Sequence, residues 1–185
     1  MTIPAGFAAV SVQYNQAFNL QPEQVTFGIE AAAYDEALAD FIIDKWRENF
    51  APVCYNGDTI GPAVIRTSDN LVFSSTGAAT AGTESGEGDS CQTAYLIQKN
   101  TARGGRSGRG RWFLPGTVEP AINSGGSLTS GIQTDLLAAA DGFLADLGAA
   151  DVGLFLLHAD GSTPDEITSF TVKNLVATQR RRLGR

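Results

Sequence analysis

The sequence has one histidine, two cysteines, one methionine and no long apolar run. Each shortage closes off a class of function. With His158 as the sole imidazole, any triad, zinc or acid–base scheme built on histidine depends on that one side chain. It stands at the end of "LFLLHADG" beside Asp160, where a strand pattern enters a turn, and reads as structural. No GxSxG, HExxH, CxxC pair or phosphate loop accompanies it, and "GGRSGRG" resembles a phosphate loop only in its glycines. Carboxylate pairs such as Asp160/Asp165 and Glu87/Asp89 fall in loops, where acidic residues are ordinary. The expectation is a protein that is not an enzyme and takes neither cofactor nor metal. Cys54 and Cys91 match no metal-ligand spacing and read as reduced, partly buried thiols, with one bridge between them as the alternative. No stretch approaches the roughly 18 apolar residues of a membrane span. The opening "MTIPAGFAAVSVQY" lacks the basic start and apolar run of a signal peptide.

Basic residues are scarce as well. Thirteen Lys and Arg face twenty Asp and Glu, for a net charge of -7, which argues against a general nucleic-acid coat. Eight of the thirteen sit in two short stretches: Arg103, Arg106, Arg109 and Arg111, then Arg180, Arg181, Arg182 and Arg185. An acidic body with two arginine clusters is attracted to copies of itself, so charge alone raises self-assembly.

What remains describes an ordinary globular chain. At 185 residues, 43% hydrophobic and 18% charged, it fits a single domain over 1–185. Residues 7–14 and 24–31 read as strands with a loop, "NQAFNLQPE", between them. Tyr34, Leu38, Phe41, Ile42, Trp46 and Phe50 recur at helical steps, with Asp35, Glu36 and Asp40 in the first half and Pro52 at the close. After a turn at 56–58, "TIGPAVIRT" and "NLVFSST" are strand-like, and Pro62 marks an edge or a bulge. Residues 77–90 are small and polar and read as an exposed loop. "CQTAYLIQKNTA" and "RGRWFLPG" are further strand patterns. A helix follows on Leu128, Ile132, Leu136, Leu137, Phe143, Leu144 and Leu147, with Gly142 as a point of slight bending. "DVGLFLLHAD" and "EITSFTVKNLVATQ" close the series as two strands joined by "DGSTPD", and residues 179–185 form a basic tail. The predicted order is β-β-α-β-β-β-β-α-β-β. This is an α+β domain with two amphipathic helices packed on a mainly antiparallel sheet.

The stretch "TARGGRSGRGRWFLPG", residues 101–116, carries the functional question. A disordered RNA-binding segment would repeat such a unit, whereas a single copy here lies between strand patterns. Strand alternation places Arg109, Arg111 and Phe113 on one face and Trp112 and Leu114 on the other. The arginines then point outward as an inter-subunit contact, where their planar forks suit carboxylates. A solvated basic turn is the plainer reading of the same residues.

"TARGGRSGRGRWFLPG" followed by "EITSFTVKNLVATQRRRLGR" resembles a class of virus-encoded proteins met mostly in environmental and phage genomes. Members share a helix running into a Phe-Ala-Pro end, here Phe50, Ala51 and Pro52, an Arg-Gly-Arg-aromatic-Leu-Pro-Gly segment, and a last strand running into Gln-Arg-Arg-Arg. The matching pieces cover about a quarter of the chain. The resemblance implies a virion structural protein of a tailed bacteriophage and leaves its place in the particle open. A head–tail neck or tail-terminator subunit is the expected role, located in the virion and contacting copies of itself and other virion proteins. A capsid or decoration protein is the rival within that class, and a nucleic-acid-binding accessory protein the rival outside it. Contact with nucleic acid is less favoured, and no membrane is involved. The subunit-interface residues expected are the eight clustered arginines.

The alternation argument yields a direct test. Trp112→Ala should cost about 3–5 kcal/mol of stability, while Arg109→Ala should leave the isolated subunit nearly unchanged. A neutral Trp112→Ala in calorimetry would refute the burial of that face.

Overall fold

The structure, a computed structural model, describes residues 2–16, 19–50, 59–76, 94–99, 111–114 and 130–173. The chain order is β1 (Ala8–Gln16), β2 (Asn19–Glu30), α1 (Glu36–Phe50), β3 (Thr59–Thr67), β4 (Val72–Ser74), β5 (Ala94–Lys99), β6 (Arg111–Leu114), α2 (Ser130–Ala149), β7 (Gly153–Leu156), β8 (Asp165–Glu166) and β9 (Ser169–Lys173). The fold is α+β with every ladder antiparallel, as expected from the sequence. The strands divide between two sheets: six in the order β4-β3-β1-β2-β7-β8, and three in the order β6-β5-β9.

Alternation on the large sheet sends Ala8, Val10, Val12, Val25, Phe27, Ile29, Ala63 and Ile65 into the core. Helix α1 begins where the Asp35 carboxylate accepts the Leu38 amide at 2.8 Å, an N-cap that leaves Asp35 outside the helix. Its buried stripe is Ala39, Ile42, Ile43, Trp46 and Phe50. Helix α2 contributes Leu136, Ala139, Ala140, Phe143 and Leu147. It ends in a Schellman turn: Val152 N–H bonds Leu147 O at 3.0 Å, Asp151 N–H bonds Gly148 O at 3.1 Å, and Asp151 takes φ 56°.

Four rings join the layers. Phe27 of β2 stacks on Trp46 of α1 with centroids 6.4 Å apart, and Phe143 of α2 meets Phe27 at 5.9 Å and Trp46 at 5.3 Å, both edge-on. Phe50 closes the group against Trp46 and Phe143. Rings at these separations prefer offset and T-shaped contacts, and burying all four fixes both helices on one sheet face.

Two expectations change in detail, and Pro62 takes one of its two expected positions. The loop expected at 15–23 is mostly strand: Tyr14 pairs Glu23 and Asn15 pairs Pro22. Pro22 is tolerated because the neighbour on the far side, β7, pairs β2 only at Gly28–Glu30. Pro62 sits in a bulge, since Val12 opposes Ala63 while Tyr14 opposes Ile60. The pattern over 166–179 is broken after Glu166. The Ile167 amide bonds Leu154 O at 2.8 Å, the Ile167 side chain is buried, and the chain crosses to the small sheet as β9. Residues 174–179, the loop at 77–90, Cys54, Cys91, Pro52, the turn at 56–58 and the tail at 179–185 lie outside the described residues.

Gly142 lies within α2, which is unbroken over Ser130–Ala149, and its role is close approach. A methyl group there would collide with the Asn49 carboxamide of α1. That carboxamide is held by bonds to Lys45 O at 2.9 Å and to Asp146 Oδ2 at 2.8 Å, the second crossing between the helices. Gly142→Ala should therefore not show the gain of about 1 kcal/mol usual inside a helix. In an Asn49→Ala background the gain should return. Equal effects in the two backgrounds, measured by urea denaturation, would rule out the contact.

Candidate functional site

Of the clustered arginines, only Arg111 lies among the described residues. Arg111 opens β6 and pairs across from Ile97 of β5. Arg103, Arg106, Arg109, Arg180, Arg181, Arg182 and Arg185 lie outside the described residues. The ends from which they depart are described. Strands β5 and β6 are antiparallel neighbours, so the segment 100–110 joins Lys99 to Arg111 at one end of the small sheet. Lys173, the last residue of β9, pairs Tyr95 at the opposite end, and the second cluster follows from there. Register also orders Trp112 and Leu114. Trp112 shares a row with Leu96 and Val172, Leu114 pairs Ala94, and Gln98 pairs Phe170. Positions 112 and 114 thus have the same parity as Phe170, which is buried.

His158 follows β7 and points Nε2 at Asp165 Oδ2, 3.2 Å away, across the β7–β8 connection. Asp165 is 5% exposed, so the imidazole gives a buried carboxylate one of its partners. The connection turns through a bond from Gly161 N–H to His158 O at 3.1 Å. Asp160 accepts the Ser162 amide at 3.0 Å, and that bond lowers its carboxyl below the usual range. The geometry is a hairpin lock. Among the described residues no group of three or more His, Cys, Asp or Glu could hold a metal, and no helix is long and apolar enough to cross a membrane.

A more open feature lies at the β4 edge of the large sheet. The β3–β4 turn is tied by Thr67 N–H to Leu71 O at 3.0 Å and Asn70 N–H to Thr67 O at 3.1 Å. The buried Thr67 hydroxyl accepts the Leu71 amide at 3.2 Å, and Asn70 takes φ 62°, a left-handed conformation that Asn tolerates. Beyond the turn, Ser75 and Ala63 exchange two bonds of 2.9 Å, and Asp40 of α1 accepts the Thr76 amide at 2.7 Å. Both ends of this short strand are thereby fixed.

Beside the turn is a solvent-open cavity of about 230 Å³, lined by Gly6, Phe7, Tyr34, Thr67, Ser68, Asp69, Leu71 and Phe73. Gly6, at φ 85°, turns its carbonyl to the Tyr34 hydroxyl, which donates at 2.9 Å. Burial pushes the Tyr34 phenol up, so it stays protonated as a donor. Phe7 is braced edge-on by Phe155, with centroids 5.0 Å apart. At the cavity's rim Leu71 is 57% exposed, and Val72, 52% exposed, stands on the opposite face of the strand; these are the large apolar side chains left uncovered among the described residues. Sequence reasoning did not find this site. Its residues come from three segments far apart in the chain, and its local signal is the Ser68-Asp69-Asn70 turn between two strand patterns.

Comparison with protein families, with curated proteins and with solved structures returns no match.

Thr67→Val keeps the shape of the side chain and removes the acceptor of the Leu71 amide. It should cost about 1 kcal/mol and speed hydrogen exchange at Leu71. Unchanged exchange there would show that the hydroxyl does not hold the turn.

Proposed function

We propose that the protein is a structural subunit of a virus particle, acting in a tailed-phage head–tail neck or tail terminator through contacts with its own copies and with other virion proteins. A capsid or decoration subunit is the rival placement. The observation that carries the reading is topological: the two arginine-bearing segments depart from opposite ends of one three-stranded sheet. The rest of the chain is acidic, and in α1 the cations Lys45 and Arg47 already pair with Glu48 and Asp44. We infer that positive charge is carried away from two ends of the small sheet on an otherwise acidic subunit. That arrangement suits head-to-tail contacts, which close into a ring when the rotation allows. The exposed Leu71 and Val72 on an edge strand add apolar area suited to a neighbour. The eight clustered arginines are the proposed contact residues, and the virion the proposed location. No catalysis or cofactor is part of this reading.

Two measurements test it. Light scattering on the purified protein should show a closed oligomer, or proteomics should find the chain in purified virions. Deleting residues 180–185 should weaken assembly about tenfold or more at low salt and less at high salt. A chain that is strictly monomeric and absent from virions would end the proposal.

A further inference from the structure

We infer that the cavity beside the β3–β4 turn receives an arginine side chain from residues 180–182 of a second copy, an inference that rests on the assembly reading for its partner. Three aromatic side chains, Phe7, Tyr34 and Phe73, line the same space as the Asp69 carboxylate. Aromatic faces attract a cation through their quadrupole, and a carboxylate pairs with a guanidinium through two parallel hydrogen bonds. A planar cation on an apolar stem satisfies both demands. Arginine meets them better than lysine, because its weakly hydrated plane stacks on rings.

Hydrogen bonds of the fold hold the walls of the site. Asp69 sits at the tip of a turn held by three hydrogen bonds. It makes no hydrogen bond or ion pair with another described residue, so its charge is available. The Tyr34 hydroxyl is engaged by Gly6, which fixes that ring.

The occupant follows from charge and reach. The stretch "RRRLGR" places Leu183 directly after three arginines, and the cavity wall carries exposed Leu71 together with the Asp69 carboxylate. Cation and apolar group on one side meet anion and apolar surface on the other. Arg180 to Arg182 stand seven to nine residues after Lys173, and an extended chain of that length spans about 25–30 Å. That is enough to leave the small sheet and reach a neighbour.

The test uses the full chain, diluted below its self-association range, and a fluorescein-labelled peptide of residues 178–185. Anisotropy should report binding that weakens about tenfold in Asp69→Asn and is unchanged in Asp135→Asn, an exposed carboxylate on α2. Asn suits the turn position, so the variant keeps its fold. A peptide with Gln at 180, 181 and 182 should not bind. Equal weakening by the two Asp variants, or none by either, overturns the inference. Mixing full-length Asp69→Asn with wild-type chain lacking 180–185 distinguishes a second copy from the same chain. Each should fail to self-associate alone, and the mixture should form one-to-one pairs; no pairing in the mixture overturns exchange between copies. Failure of these tests in a chain that still enters virions removes the cavity and leaves the assembly reading. Peptide discrimination in a chain absent from virions supports the cavity and removes the assembly reading.

Discussion

The packing of Trp46 between Phe27, Phe50 and Phe143 is the contact on which the rest of the structure depends. These four rings come from β2, α1 and α2, and they are the largest fully buried side chains among the described residues. Aromatic pairs contribute about 0.5–1.5 kcal/mol beyond their burial, and their preferred angles admit few relative placements of two helices. Once Trp46 is seated, α1 lies across β3 and α2 approaches closely enough to require Gly142 opposite Asn49. Helix α2 then supports both sheets, touching β7 of the large one and β9 and β5 of the small one.

That arrangement leaves one face and one edge of the large sheet for other uses. The helix-covered face is apolar, while Ser11, Thr26, Arg66 and Glu166 stand on the other. The β4 edge is three residues long and pinned at both ends, by the Thr67 turn and by the Asp40–Thr76 bond. A short, fixed edge resists uncontrolled pairing. Beside it lies the cavity lined by Phe7, Tyr34, Phe73 and the Asp69 carboxylate. Positive charge is concentrated on segments attached to the small sheet, and the acidic, partly aromatic cavity belongs to the large one.

Local chemistry was legible wherever a residue and its near neighbours decide the outcome. The three-and-four spacing of Tyr34, Leu38, Ile42, Trp46 and Phe50 predicted α1, because a helical face is defined within a few residues. "TIGPAVIRT" coincides with β3, and Pro62 marks its bulge because a proline has no amide for the ladder. His158 bonds buried Asp165 across the β7–β8 connection, seven residues on, a contact short enough in sequence for a local window to contain. The loop assigned to "NQAFNLQPE" shows the limit. Its polar composition suggests solvent, yet cross-strand pairing between β1 and β2 carries the ladder through it.

The sequence by itself determined the α+β class, the order of its main elements and the separation of charge into two arginine clusters on an acidic chain. These depend on periods of two and 3.6 residues and on counting charges, which need no knowledge of distant contacts. Tertiary structure alone decided that the strands form two sheets, that the pattern over 166–179 splits between them at Ile167, and that Gly6, Tyr34 and Asp69 meet around one cavity. The physical reason is that pairing between remote strands is chosen by which closures bury the aromatic core together. That choice belongs to the whole chain at once, and no local window contains it.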